Sequence, residues 1–189
     1  MAAKSNLKNM ALVLTGVCLV CSAILGVVYA VTYEPIKEAA RKALEISVGQ
    51  VLPDGGSLSE ELSLSYDGTN YSYFESTGAD GAVAAYAVKS TVIGFGGPLT
   101  LMVGVLPDGT VNNTSVLECN ETPGLGAKCK TDEAFMSQWK GFNGVFKVRK
   151  DGGDVDAITA STITSRAYTL AVENAVNFVK SNFGGQDNE

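Results

Sequence analysis

The sequence predicts an α+β fold in which a single N-terminal transmembrane helix precedes an antiparallel sheet with flanking helices. Three features support this prediction. The segment between Lys8 and Glu34 contains no charged residue, short apolar segments separated by turn sequences occupy the middle of the chain, and an amphipathic pattern begins near Ile163. Short apolar segments bounded by Gly, Pro and Asp are typical of β-strands, whereas the final pattern is typical of a helix.

Composition excludes several classes of function. The 189 residues include 14 basic and 20 acidic side chains, a formal charge of -6, which argues against nucleic acid as a partner. The chain has no histidine, so Ser-His-Asp and Cys-His catalysis, histidine-ligated haem and the usual histidine-containing zinc sites are excluded. Any redox or transfer chemistry therefore depends on a bound cofactor or on carboxylates and hydroxyls.

The uncharged segment is the predicted membrane anchor. Residues 10–32 are almost wholly apolar and, as a helix, are long enough to cross the hydrocarbon core of a bilayer. The short tail before them, residues 1–9, is expected to be cytoplasmic, although positive charges flank both ends of the anchor. A cleaved export signal is the alternative, because residues 28–30 resemble a cleavage site. Cys18 and Cys21 lie in this segment, where we interpret them as small apolar side chains.

The elements after the anchor are predicted in order. Residues 33–55 form a juxtamembrane helix and linker, since apolar residues recur at helical spacing after Pro35 and a turn sequence follows. The domain then occupies residues 56–184, and residues 185–189 form a tail. The predicted strands are residues 62–66, 71–75, 82–92, 99–106 and 111–117. The predicted helices are residues 131–138 and a segment from about Ile163 to Gly184, with residues 145–149 as a further candidate strand.

Two glycine-bearing loops are candidate parts of a ligand site. In residues 94–98, Gly-Phe-Gly-Gly-Pro, the missing side chains would let a ligand approach the backbone, although a tight strand connection has the same composition. Residues 121–126, Glu-Thr-Pro-Gly-Leu-Gly, offer backbone N–H groups, a carboxylate and a hydroxyl, but they lack the Gly-Lys-Ser/Thr ending of a P-loop. Cys119 and Cys129 bracket this second loop at a spacing that permits a disulfide, which would stabilise the loop by about 2 to 3 kcal/mol.

The third candidate segment is a cluster of hydroxyl side chains at the start of the last helix. Residues 156–165 read Asp-Ala-Ile-Thr-Ala-Ser-Thr-Ile-Thr-Ser. A helix start exposes unpaired N–H groups, so hydroxyls placed there suit a phosphate that is bound or covalently attached. Ordinary helix capping is the alternative explanation, because Ser and Thr are preferred at helix N-termini.

Together these three segments resemble the G subunit of Rnf-type ion-translocating ferredoxin:NAD oxidoreductases, which is related to the C subunit of sodium-pumping NADH:quinone reductase. The resemblance covers nearly the whole chain and implies an FMN-binding domain. In that family a segment of the form Asp-x-x-Ser/Thr-Gly-Ala-Thr carries FMN, esterified through its phosphate to the last threonine. By this resemblance Asp156 is the leading acid, Thr159 the first hydroxyl and Thr162 the residue that carries FMN. The sequence departs from the family pattern at Ala160 and Ser161, and Ser161 is a second candidate acceptor.

The resemblance also implies roles for the glycine-bearing loops. The loop at 121–126 matches the family's sequence without departure and is expected to line the flavin pocket, and the turn at 94–98 is expected to form a second wall. The residues assigned to the pocket on this basis are Glu121, Thr122, Gly124, Leu125, Gly126, Gly96 and Gly97.

The implied function is electron transfer through covalent FMN within a membrane-bound complex. The implied partners are the other subunits of the Rnf complex and a flavin transferase that attaches FMN. The resemblance places the protein in the cell inner membrane as a single-pass protein with a periplasmic C-terminal domain, and it leaves the coupling ion open. Three alternatives stay open: the C subunit of the sodium-pumping quinone reductase, a pilin-like structural subunit, and a non-redox membrane-anchored binding module.

Overall fold

The first helix contains the uncharged N-terminal segment. In the computed structural model, which describes residues 7–184, helix α1 spans Leu7–Val51 and includes Pro35. Its most apolar window has a mean hydropathy of 2.6, and the helix is long and apolar enough to cross a membrane. The residues expected to form a separate juxtamembrane helix belong to α1. The chain divides into two compact units, residues 7–43 and residues 44–184.

The second unit contains one antiparallel sheet, as the sequence predicts. Its strands are β1 (Ser57–Leu58), β2 (Leu62–Tyr66), β3 (Thr69–Thr77), β4 (Val83–Ile93), β5 (Pro98–Val105) and β6 (Val111–Cys119). The order across the sheet is β1-β3-β4-β5-β6, and β2 also pairs with β3. Five of these strands overlap the five predicted ones, while the two-residue strand β1 was not predicted.

Short turns set the register of neighbouring strands. The sequence Asp-Gly between β2 and β3 is a strong hairpin signal, because both central residues of a tight two-residue turn need a positive φ. Asp67 and Gly68 have φ values of 49° and 73°, and Tyr66 pairs directly with Thr69 across the turn. This local chemistry sets β2 in register with β3, so that Leu62 lies opposite Tyr73 and Leu64 opposite Tyr71.

Helices cover both faces of the sheet. Helix α2 spans Glu133–Ser137 and helix α3 spans Thr162–Asn182; 3₁₀ turns span Gly126–Lys130 and Arg149–Asp151. One face of the sheet packs against α3 in a core that includes Val88, Leu101 and Tyr168. On the other face a smaller cluster joins Val48 and Val51 of α1 to the sheet. The last turns of α1, which lie in the predicted juxtamembrane helix and linker, therefore contribute to the core of the second unit.

A close backbone contact fixes the end of α1 against the sheet. A Cβ atom at Gly104 would lie 1.9 Å from the carbonyl oxygen of Val51, so only glycine fits here without a shift of the backbone. Asn112 donates a hydrogen bond of 2.8 Å to the same oxygen, and Asn113 donates one of 2.9 Å to the carbonyl of Gln50. These side chains satisfy carbonyl groups that a helix end leaves unpaired.

The candidate strand at residues 145–149 does not form. Its backbone makes only an isolated bridge, between Val148 and Val155, and a 3₁₀ turn begins at Arg149. The backbone turns back immediately, because Gly152 adopts a left-handed conformation with φ of 83°. The Val145 N–H donates to the Asp154 carboxylate at 2.7 Å rather than to a neighbouring strand.

Candidate functional site

A cavity of about 360 Å³ lies at the N-terminal end of α3, within the size range of small-molecule sites. Three segments that are distant in sequence line it: the turn after β4, the loop after β6 and the first turn of α3. The lining residues are Phe95, Glu121, Thr122, Leu125, Gly126, Ala160, Ser161, Thr162, Ile163 and Thr164. The cavity therefore brings together all three segments singled out in the sequence.

A buried carboxylate connects these segments. Glu121 is only 7% exposed, and one of its oxygens accepts hydrogen bonds from the backbone N–H groups of Phe95 at 2.8 Å and Gly96 at 3.4 Å. Its other oxygen accepts a hydrogen bond of 2.9 Å from the Thr164 hydroxyl. A buried carboxylate is tolerated only when its oxygens are paired in this way. Glu121 thus fixes the turn after β4 and the start of α3 relative to its own loop.

Glycine at position 126 makes this arrangement sterically possible. A Cβ atom there would lie 2.5 Å from the Thr164 hydroxyl oxygen and 2.6 Å from the Glu121 carboxylate, closer than real Cβ contacts. A side chain at this position would therefore break the hydrogen bond between the two residues. This is a physical reason for the glycine that ends the 121–126 loop.

The hydroxyl side chains at the start of α3 differ in their surroundings. Thr162 is half-buried and lines the cavity, while Thr159 is exposed and does not. Ser161, at the N-cap position, makes no capping hydrogen bond, and its buried hydroxyl has no hydrogen-bond partner among the described residues. Ser165 is fully engaged, since its hydroxyl donates to the Ser161 carbonyl at 2.9 Å and accepts from the Ile158 N–H at 2.9 Å. Simple helix capping by Ser161 does not explain the hydroxyl cluster.

The backbone before α3 is strained at one position. Ala160 has a φ of 61°, in the left-handed region that costs a residue with a Cβ about 1 kcal/mol or more. Position 160 is the one at which the family that this sequence resembles usually has glycine. The strained turn places Ser161 and Thr162 at the cavity, and the Ser161 N–H closes it with a hydrogen bond of 3.0 Å to the Ile158 carbonyl.

Some of the residues assigned to the pocket lie outside its lining. Gly96 and Gly97 shape the turn after β4, but Phe95 is the residue of that turn that faces the cavity. Gly124 adopts a φ of 77° within the loop. Asp156 is exposed and its carboxylate forms an ion pair with the Arg149 guanidinium. Its backbone N–H donates a hydrogen bond of 2.8 Å to the side-chain oxygen of Gln138. The lining residues that the sequence analysis did not assign are Phe95, Ala160, Ile163 and Thr164.

The two cysteines that bracket the 121–126 loop lie side by side. Their thiols form a hydrogen bond with the sulfur atoms 3.7 Å apart, and no disulfide joins them. Cys129 is fully buried, whereas Cys119 is half-buried. Burial, together with the neighbouring Cys119 thiol, raises the pKa of Cys129 from 9.0 to about 12. The thiol form of Cys129 therefore predominates at neutral pH.

Comparison with known proteins agrees with this geometry. Residues 94–177 match the FMN-binding domain family, a range that begins at the turn after β4 and ends within α3. The chain is 35% identical to the G subunit of the ion-translocating oxidoreductase complex of Vibrio cholerae over 89% of its length and 88% of that protein. It is 40% identical to the G subunit of the proton-translocating ferredoxin:NAD(+) oxidoreductase complex of Clostridium ljungdahlii over 54% of its length and 57% of that protein.

A solved structure resembles part of the chain. The crystal structure of the C subunit of Na(+)-translocating NADH-quinone reductase from Parabacteroides distasonis is 28% identical, with a TM-score of 0.50, over 63% of this chain and 65% of that one. The similarity to the Vibrio cholerae protein extends over much more of the chain and includes part of the N-terminal helix. On this evidence the chain belongs to the family of G subunits of ion-translocating oxidoreductase complexes and contains their FMN-binding domain.

Proposed function

We propose that this chain is an electron-transfer subunit of an ion-translocating ferredoxin:NAD+ oxidoreductase complex, with FMN attached by a phosphoester bond to the hydroxyl of Thr162. The observation that carries the proposal is the position of Thr162, half-buried in the first turn of α3 and lining the cavity. Bound FMN would supply the capacity to accept and donate electrons. The protein would fix its position.

The environment of the cavity fits FMN. Phe95, Leu125 and Ile163 line it with apolar side chains that are 68%, 44% and 53% exposed, which suits contact with a flat aromatic ring system. The start of α3 supplies N–H groups without intrahelical partners, and its first turn contains no acidic residue to compete with a phosphate. The site therefore offers apolar surface at one part and anion-binding groups at another.

The charges at the cavity favour a covalent tether. None of the described residues that line it is Lys or Arg, and its single charged residue is the carboxylate of Glu121. A phosphate held only by electrostatic attraction is normally paired with Lys or Arg. The helix N-terminus would stabilise the phosphate by only about 0.3 to 1 kcal/mol. Because this attraction is weak, a covalent bond to Thr162 would be what keeps FMN in the site.

The neighbouring hydroxyls are less suited to be the attachment point. Thr164 donates its proton to Glu121, Ser161 is buried, and Thr159 is exposed but lies outside the cavity lining. Thr162 alone among these four is both partly accessible and at the cavity. An enzyme that attaches FMN could therefore reach its hydroxyl.

Attachment would require a partner enzyme, a flavin transferase that uses FAD. The Thr162 oxygen forms a bond to the phosphorus of the FMN half of FAD, the bond from that phosphorus to the bridging oxygen breaks, AMP leaves, and the hydroxyl proton is released. Asp156 and Thr159 are exposed, so we assign them to recognition by the transferase rather than to contact with bound flavin. Asp156 forms an exposed ion pair with Arg149.

The proposed location is the cell inner membrane, with residues 10–32 spanning it, residues 1–9 in the cytoplasm and the domain at residues 56–184 in the periplasm. The segment between Lys8 and Glu34 has no charged side chain, so it supplies none of the ionisable groups that mark ion pathways in membranes. The other subunits of the complex would move the ion and exchange electrons with this one. The C subunit of a sodium-translocating quinone reductase is the second candidate, which the similar solved structure supports.

The test uses three forms of the chain produced with a flavin transferase. The wild type and Thr162→Ser keep a hydroxyl at position 162, and Thr162→Ala does not. We expect intact-mass measurement to show added FMN, less one water, on the first two forms and none on the third. Circular dichroism should show that the Ala variant still folds. Equal flavin content in wild type and Thr162→Ala would rule out attachment at Thr162.

A further inference from the structure

The Ser161 hydroxyl is a buried polar group that makes no hydrogen bond within residues 7–184. Ser161 is 7% exposed, and its Oγ has no hydrogen-bond partner among the described residues. Its backbone is fully used, since the N–H donates to the Ile158 carbonyl and its own carbonyl accepts from both the N–H and the hydroxyl of Ser165. Buried hydroxyls are almost always paired because leaving one unpaired is unfavourable. The Ser161 hydroxyl is therefore free to donate a hydrogen bond to a group bound at the cavity.

The position of Ser161 indicates which group would accept its hydrogen bond. Ser161 lines the cavity and directly precedes Thr162, so a phosphoryl group bonded to Thr162 would lie beside it. The Oγ atom is shielded in this structure, so donation to a phosphate would require a rotation about χ1 between staggered positions. A hydroxyl that donates to an anionic phosphate oxygen makes a stronger hydrogen bond than one that donates to a neutral group.

We propose that the Ser161 hydroxyl donates a hydrogen bond to a non-bridging phosphate oxygen of the Thr162-linked FMN. This inference rests on the proposed attachment at Thr162. It gives Ser161 a positioning role: the serine would restrict the orientation of the phosphodiester, and hence of the flavin, without reacting itself. The family that this sequence resembles has alanine at this position. Serine at position 161 would then supply one more hydrogen-bond donor to the phosphate.

The proposal predicts opposite effects of one substitution in the two states of the protein. Without flavin, Ser161→Ala removes an unpaired buried hydroxyl and should raise the melting temperature. With flavin attached, it removes a charge-assisted hydrogen bond and should lower the melting temperature. A shift of about 2 to 4 °C in each direction is expected for a chain of this size.

Ser90→Ala is the matched control. Ser90 is 1% exposed, and its hydroxyl also has no hydrogen-bond partner in the part of the chain that the structure describes, but Ser90 does not line the cavity. Its substitution should raise the melting temperature by the same amount in both states. Only the shift in melting temperature caused by Ser161→Ala should change sign between the two states, because only the Ser161 hydroxyl would gain a hydrogen bond to the flavin phosphate.

The experiment compares the full-length chain in detergent, produced with and without a flavin transferase, by differential scanning calorimetry. Intact mass reports the flavin content of each sample. Melting temperatures of Ser161→Ala that shift in the same direction in both states would overturn the proposal. Complete loss of flavin from Ser161→Ala would also overturn it, by making Ser161 essential for attachment. A wild type without added mass would instead refute the proposed function, and this inference with it.

Discussion

Thr164 donates a hydrogen bond of 2.9 Å to the buried carboxylate of Glu121, across 43 positions of sequence. The other oxygen of the same carboxylate holds the turn after β4 through the Phe95 N–H at 2.8 Å. One side chain therefore ties together the three segments that line the cavity. We consider this contact the structural basis of the site, because the shape of the cavity depends on how these segments meet.

Replacing Thr164 with Val should weaken this connection. The substitution leaves one oxygen of a buried carboxylate without its donor, which should lower the free energy of unfolding by about 2 kcal/mol. It should also reduce the fraction of chains that carry flavin, because the start of α3 is held less firmly against the loop. Urea unfolding in detergent and intact mass measure the two effects.

Thr169→Val is the control for that variant. Thr169 is equally buried in the same helix, but its hydroxyl donates a hydrogen bond of 2.8 Å to the Ser165 carbonyl, which is a neutral acceptor. Its loss should cost about 1 kcal/mol and leave the flavin content unchanged. If both variants lost the same stability and kept full flavin content, the contact between Glu121 and Thr164 would not organise the site.

Replacing Ala160 with Gly should stabilise the chain. Ala160 has a φ of 61°, a conformation that glycine adopts without a steric penalty, so the free energy of unfolding should rise by about 1 kcal/mol. Ala157→Gly is the control, because Ala157 is not among the residues with positive φ. Glycine there should lower the free energy of unfolding by about 0.4 to 1 kcal/mol, since it gives the unfolded chain more conformational freedom. A loss of stability in Ala160→Gly, measured on the chain without flavin, would contradict the strain assigned to this turn.

We propose that Cys119 and Cys129 form a disulfide in an oxidising compartment. Their sulfur atoms are 3.7 Å apart, so a small movement brings them to bonding distance of about 2 Å. Exchange with an external disulfide would form the bond, and the oxidant would leave as two thiols. The bond should stabilise the chain by about 2 to 3 kcal/mol. Alkylation before and after reduction, followed by mass measurement, detects it; two freely alkylated cysteines in chain purified from its native membrane would contradict the proposal.

Stability should fall at alkaline pH in the reduced chain. Burial raises the pKa of Cys129 from 9.0 to about 12 and also raises the pKa of Tyr168 above 10.0. The folded state therefore retains protons that the unfolded state releases, so stability is fully present below pH 9 and falls as pH rises toward 12. Cys129→Ala should remove the part of this loss that begins near pH 9. It should leave the part due to Tyr168 and to Tyr71, Tyr73 and Tyr86, whose pKa values burial also raises. An unchanged pH profile in that variant would contradict the assignment.

Much of the fold could be predicted because it depends on local sequence. The Asp67-Gly68 turn needs two positive φ values that Asp and Gly tolerate, which sets the β2–β3 hairpin, and the uncharged segment after Lys8 defines the apolar part of α1. The candidate strand at 145–149 has the alternation of a strand but lacks a neighbour to pair with, which only the tertiary structure reveals. The short strand β1 is too brief to give a periodic signal.

The candidate site could be predicted only in part, because some of its residues depend on contacts between segments that are distant in sequence. The glycines and hydroxyls identified the three segments, and resemblance to a family connected them to FMN. The residues missed, Phe95 and Thr164 among them, gain their roles from long-range contacts with Glu121. An apolar residue between glycines and a threonine in a helix carry no local signal for such contacts.

The most direct test of the account is the location of the flavin on the mature chain. Trypsin should release residues 151–166 as one peptide, bounded by Lys150 and Arg166, that contains every hydroxyl candidate at the start of α3. Tandem mass spectrometry of this peptide from protein isolated from its native membrane should place FMN on Thr162. An unmodified peptide, or a modification placed on Thr159 or Ser161, would contradict the account.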